Sequence, residues 1–127
     1  MLESIAQTVK MLTRTYKERF MIKTGEHLKS IETSNILYFF SQEKASFCHT
    51  ADGRNFILDF TLEQLEDMVD PVRYFRINRK FLVSATAIQD IITYTNSRLK
   101  LVLKGSSDKD IIVARERVQE FKEWLDR

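Results

Sequence analysis

Short β-branched or aromatic runs, each closed by turn residues, fill the chain from Arg19 onward, and no other feature restricts the fold so strongly. RFMIK, HLKSIE, ILYFFSQ, SFCHT and NFILDF come first, followed by RYFRI, KFLVS, IQDIITYT, RLKLVLK and DIIVA. Branched and ring side chains fit a pleated, half-buried surface, so each run reads as a strand. Thr24-Gly25-Glu26 and Asp52-Gly53 are the clearest early turns, the second a strong hairpin signal. Thr95-Asn96-Ser97 and Gly105-Ser106-Ser107-Asp108 separate the later runs. Ile36 to Phe40 is apolar without alternation, as in a strand covered on both faces. Short strands at this spacing predict stacked antiparallel sheets.

Three segments break the strand texture. Leu2, Ile5, Val9, Leu12 and Tyr16 recur at spacings of three and four, the stripe of an amphipathic helix. The stripe is too short to stand alone in water. It docks on the domain body, or it forms a linker or dimerising helix; its position outside the β region favours the second. In TLEQLEDMVDP, Thr61 and Gln64 form a capping box, Glu63 sits in the first turn, and Asp70-Pro71 stops the helix. Leu62, Leu65, Met68 and Val69 make its inner face, and its outer face is acidic. A last helix begins near Arg115, with Val118, Phe121, Trp124 and Leu125 as its apolar stripe. The expected organisation is therefore a helix over residues 1–18 and a mainly β domain over residues 19–127.

A chain of 127 residues is long enough to bury one real core. With 43% hydrophobic and 30% charged residues it has a globular rather than a disordered composition. No apolar run reaches membrane-spanning length, and the N-terminus lacks a signal-peptide pattern. Cys48 is the single cysteine, which rules out an internal disulfide and suits a reducing cytoplasm. Its neighbours Phe47 and His49 raise a reactive or metal-binding thiol; a buried strand cysteine is the simpler reading. His49 points to the opposite strand face, and His27 lies on another strand. No glycine-rich loop cradles phosphate and no serine has a nucleophile-elbow context. The sequence therefore predicts no catalysis, no cofactor and no metal.

Charge is unevenly placed. Residues 1–71 carry a net −3 and residues 72–127 a net +5, so a polyanion would meet the second part. Arg98, Lys100 and Lys104 alternate with Leu99, Leu101 and Leu103 and read as a solvated face. The stretch YFRINRKFLV, residues 74–83, is more demanding, because it sets Arg76, Arg79 and Lys80 inside an apolar run. Burying such charges unpaired is costly, so they face water, an acid or an anionic partner. Alternation sends Phe75 and Ile77 one way and Arg76 and Asn78 the other, and the Arg79-Lys80 pair breaks the pattern at a kink, turn or bulge. Two readings stay open here. Either the basic groups meet an anion, as Arg and Asn suit guanine, adenine or phosphate, or Arg76 pairs with a helix acid such as Glu66 or Asp67 and the rest are solvated.

FRINRKFLV, the strand-rich ILYFFSQEKASFCHTADGR, the acidic TLEQLEDMVDP and the ending IIVARERVQEFKEWL, in this order, resemble the LytTR DNA-binding domain. The resemblance runs from about Arg19 to the C-terminus. It implies an elongated stack of short antiparallel β-sheets with small helices, the output domain of a bacterial two-component response regulator, which reads duplex DNA through loops. Three regions match the family's contacting segments. The first is the loop after Phe40, with Gln42, Lys44 and Ser46. The second is Arg76-Ile77-Asn78-Arg79-Lys80, where the family commonly has Arg-hydrophobic-His-Arg-Ser. The third is Ala114-Arg115-Glu116-Arg117, often small-Arg-Arg. The resemblance thus implies Gln42, Lys44, Ser46, Asn78, Arg79, Lys80, Arg115 and Arg117 as DNA contacts, with Arg79 foremost. Asn78 and Lys80 depart from the family pattern, so base preference does not transfer; Lys80 adds phosphate affinity rather than sequence information. Glu116 accepts from a cytosine amino group, or it pairs with Arg115 or Lys80.

The leading expectation is a sequence-specific transcription regulator of the cytoplasm, with double-stranded DNA as partner and dimerisation on repeated half-sites as a further possibility. No receiver domain fits before Arg19, so a receiver or sensor kinase would act from elsewhere. The alternative is a non-catalytic β-sandwich module whose basic patch engages an acidic protein. RNA binding lacks the exposed aromatic pattern it needs.

Overall fold

The structure, a computed structural model, describes residues 15–127, the side chain of Asn96 excepted. The strands are β1 (Arg19–Thr24), β2 (His27–Glu32), β3 (Ile36–Gln42), β4 (Ala45–Thr50), β5 (Asn55–Leu58), β6 (Tyr74–Arg76), β7 (Phe81–Ser84), β8 (Ile88–Tyr94), β9 (Arg98–Leu103) and β10 (Ile111–Ile112). Helix α1 (Leu62–Met68) follows β5, and α2 (Val118–Leu125) closes the chain behind a 3-10 turn over Arg115–Arg117. The helix expected over residues 1–18 lies outside the described residues as far as residue 14; residues 15–18 carry no regular structure. Their backbone is tied to the body, Lys17 N–H donating to Met68 C=O and Thr33 N–H to Glu18 C=O.

Among the described residues all strand pairs are antiparallel and form three sheets: β1-β2, β5-β4-β3-β7-β6 and β10-β9-β8. The five-stranded sheet is the middle layer, with a core on each face. On one side Phe39, Cys48, Leu58 and Leu82 meet Phe20, Ile22 and Ile31 of the first hairpin, Leu62 and Leu65 of α1, and Val69 just after it. On the other, Tyr38, Phe75 and Val83 meet Leu99, Leu101, Leu103 and Ile111 of the third sheet and Phe121 and Trp124 of α2. The unbroken apolar run of β3 needs both layers: alternation sends Tyr38, Phe39 and Phe40 to successive sides, and a register shift between Ile36 and Tyr38 sets Ile36 on the layer opposite Tyr38. The mainly β stack expected from the resemblance is the fold observed. No helix among the described residues is long and apolar enough to cross a membrane.

Local chemistry agrees with the sequence reading where signals are short-range. The Thr61 hydroxyl accepts from Gln64 N–H at 3.1 Å and the Gln64 side chain accepts from Thr61 N–H at 2.9 Å, completing the capping box. Gly53, at φ +85°, supplies the turn between β4 and β5. The Tyr74 hydroxyl reaches the carbonyls of Thr33 and Ile36 at 2.7 and 2.8 Å, linking β6 to the entry of β3.

Cys48 is fully buried, and burial pushes its thiol up to about 11. The thiolate is the reactive form, so labelling needs both exposure and deprotonation. Iodoacetamide at pH 8 is expected to leave Cys48 unmodified in the folded protein and to label it in urea. Fast native labelling, read by mass spectrometry, would contradict this packing.

Candidate nucleic-acid interface

Two chain reversals and the segment that leaves β10 meet at one end of the middle sheet. The β3–β4 hairpin turns through Glu43 and Lys44, with Gln42 opposite Ala45. Both turn residues have positive φ, 51° and 67°, the left-handed geometry a two-residue hairpin demands and glycine or asparagine usually supplies. The β6–β7 loop holds Ile77–Lys80 and lies against that hairpin, Ser41 N–H donating to Lys80 C=O at 2.9 Å. The exit from β10 joins the same loop: Ala114 N–H donates to Ile77 C=O at 2.8 Å and Asn78 Nδ2 to Ile112 C=O at 2.7 Å. Residues far apart in sequence thereby share one edge.

The candidate contacts divide sharply on this edge. Gln42, Lys44, Arg79, Lys80 and Arg115 are exposed. The other three are engaged elsewhere. Ser46 is buried on the face that carries Cys48 and Leu58, because it stands two residues from Cys48 and strand side chains alternate. Asn78 spends its amide on the fold, since Oδ1 accepts from Lys80 N–H at 2.7 Å and Phe81 N–H at 2.9 Å while Nδ2 serves Ile112. Arg117 turns inward, its guanidinium 4.7 Å from the Phe75 ring centre and 3.4 Å from Glu120. Ser46, Asn78 and Arg117 were expected as DNA contacts; the structure shows each of them packed or hydrogen-bonded within the fold at this edge. Glu116 is exposed beside Arg115, and the described residues show no ion pair between it and Arg115 or Lys80.

Arg76 resolves the question left by YFRINRKFLV. The segment is a hairpin, β6 and β7 with the basic pair at its turn. Arg76 is buried on the face covered by α1, 3.2 Å from Glu63 and 3.3 Å from Glu66. Its Nε and Nη2 also donate to the carbonyls of Asn78 and Arg79 at 2.7 and 2.8 Å. Its own backbone N–H and the Arg76 guanidinium hold the Glu63 carboxyl below its ordinary value. Glu66 was an expected partner; Glu63 was not.

The β9–β10 loop is an addition that sequence reading missed. Gly105, at φ +75°, lies on the His49 imidazole, and a Cβ there would collide with the ring. That approach brings Ser106, Ser107 and Asp108 to a hollow of about 480 Å³ shared with Gln42 and Lys80. The glycine beside two serines was the available signal, but it was legible only as a turn.

The left-handed hairpin yields a test with two opposite readouts. Each non-glycine residue held at positive φ costs about 1–2 kcal/mol, strain of the kind retained where a side chain is needed. Replacing Glu43-Lys44 by Asn-Gly is expected to stabilise the domain by about 1 kcal/mol. It should also weaken DNA binding, because Lys44 is removed. Urea denaturation and a DNA titration check the two directions together; stronger or unchanged DNA binding would clear Lys44 of a role.

A sequence profile for the LytTr DNA-binding domain matches residues 26–126. The chain is 28% identical over 89 residues to the sensory transduction protein LytT of Enterococcus faecalis, covering 70% of this chain and 36% of that protein. It thus spans about a third of the length of that curated relative. The fold matches a Bacillus cereus structure, the LytTR DNA-binding domain of a protein described as a methyl-accepting/DNA response regulator. The TM-score is 0.74 at 18% identity, covering 87% of this chain and 99% of that one.

Proposed function

Because the chain belongs to the LytTR DNA-binding domain family, we propose that it reads duplex DNA sequence-specifically as the output part of a bacterial response regulator. One observation supports the specificity: exposed Gln42, Lys44, Arg79, Lys80 and Arg115 come from two hairpin turns and the segment after β10, hydrogen-bonded into a single edge. Arg79 and Arg115 have the planar fork that matches guanine O6 and N7. Gln42 suits the N6 and N7 of adenine. Lys44 and Lys80 neutralise phosphate and fix register. The edge is built from sheet ends and short loops rather than a long flexible segment, which makes positioning a few side chains inexpensive in entropy.

In this reading the protein works in the cytoplasm, a receiver segment outside the LytTR-like region supplies control, and the N-terminal stripe pairs two copies on repeated half-sites. Selection from a random duplex pool tests it, followed by anisotropy titration of the winner against a scrambled duplex. A paired motif is expected, and two copies that each neutralise about two phosphates through Lys44 and Lys80 should give a log-log salt slope of roughly −4. Weak binding without enrichment would sink the DNA-reading function and turn the search to an acidic protein partner.

A further inference from the structure

We infer that Arg76 is a positioning residue for DNA reading, clamping the β6–β7 loop in its binding shape with the acidic face of α1 as its anchor. The inference rests on the DNA-reading function proposed above. Arg76 never reaches the reading edge itself: it is 9% exposed and lies on the sheet face that α1 covers. Its guanidinium takes the carbonyls of Asn78 and Arg79 on one side and the carboxylates of Glu63 and Glu66 on the other. A planar fork can serve all four at once; an ammonium on a flexible stem cannot. Asn78 completes the grip from within, since its Oδ1 takes the Lys80 and Phe81 amides. The carbonyls of Asn78 and Arg79 are therefore held by Arg76 and the amides of Lys80 and Phe81 by Asn78, leaving the Arg79 side chain exposed.

This arrangement explains why acids stand so near a surface meant for phosphate. Glu63 and Glu66 carry negative charge beside the loop that presents Arg79 and Lys80, and by charge alone they oppose DNA binding. Their use is to compensate the buried guanidinium, which would otherwise be an unpaired charge on the covered sheet face. Two opposite expectations follow for neutralising them. If charge is all that matters, Glu63→Gln with Glu66→Gln tightens binding to every duplex. If Arg76 is a clamp, the double substitution loosens the loop and lowers preference for the right sequence even as nonspecific binding tightens.

The test compares wild type, Arg76→Lys, Arg76→Met and the Glu63→Gln/Glu66→Gln pair. Amide exchange is followed in the free proteins, and binding to the selected and scrambled duplexes is titrated across salt. In the Arg76 variants, Lys80 and Phe81 amides should exchange faster while the strand amides of Phe39 and Cys48 stay protected. The preference for the selected duplex should fall about tenfold, the loss of one well-placed base contact, with the salt slope unchanged. The double glutamine variant should bind the scrambled duplex more tightly and discriminate less. A slope reduced by about 1, with both duplexes weakened equally, would make Arg76 a phosphate contact and overturn the clamp. Unchanged loop exchange beside intact wild-type discrimination would overturn the clamp alone. A wild type that prefers no duplex would overturn the DNA-reading function as well.

Discussion

Arg79→Ala is expected to weaken binding to the selected duplex by about 1–3 kcal/mol and to leave a scrambled duplex much less affected. The argument starts from the loop. Arg79 is exposed at the turn of the β6–β7 hairpin, while its carbonyl is held by Arg76 at 2.8 Å. Its backbone is thus fixed independently of its side chain, so truncation to alanine removes a fork without dismantling the loop. Lys80→Ala supplies the contrast. An ammonium at a phosphate contributes charge but no sequence information, so its loss should weaken both duplexes alike and reduce the salt slope by about 1. Anisotropy titration of the two variants against both duplexes at several salt concentrations separates these patterns. Equal weakening of both duplexes by Arg79→Ala would reduce it to a phosphate contact and leave Arg115 as the stronger base reader.

The division between legible and hidden features follows the range of the interactions. The capping box of α1 and the turn at Gly53 are set within a few residues, so the local sequence displays them. The double coverage of β3 was legible because a run without alternation has no polar face to give to water. The bonds Asn78 makes within the fold were hidden because one of its partners, Ile112, lies 34 residues away and offers only a backbone carbonyl, which no side-chain pattern announces. Glu63 was overlooked because two carboxylates, not one, neutralise Arg76. Two inward placements were legible in the sequence. Ser46 shares strand parity with Cys48, already read as a buried cysteine. Arg117 stands four residues before Phe121 and seven before Trp124, so its phase already aimed it at the apolar side of the last helix. The family resemblance pointed to a set of loops as the candidate edge, but which side chains are exposed there depends on packing.

That packing leads to the largest stability effect, expected at Trp124. Its ring lies 5.3 Å from Phe75 and 5.9 Å from Phe121, joining α2 to β6 across the second core. Its indole N–H reaches the carbonyls of Pro71 and Val72 at 3.1 Å each, pinning the segment that leads into β6. Trp124→Ala removes the ring, opens a cavity and withdraws that donor, so a loss of about 3–5 kcal/mol is expected. Trp124→Phe keeps most of the apolar contact and gives up the donor, so a smaller loss of about 1 kcal/mol is expected. Because Trp124 is the single tryptophan, its removal also deletes the intrinsic fluorescence probe, and urea unfolding must be followed by circular dichroism. A lower midpoint with an unchanged denaturant slope would be a true stability loss; a changed slope would mean that α2 has detached from an otherwise folded body. Loss of α2 would also strip Phe75 of both ring neighbours and release Arg117 from its place over that ring. DNA discrimination should then fail together with the packing of β6, whereas in Trp124→Phe it should survive. A Trp124→Ala protein as stable as wild type would show that the last helix contributes little to the core that carries the reading loop.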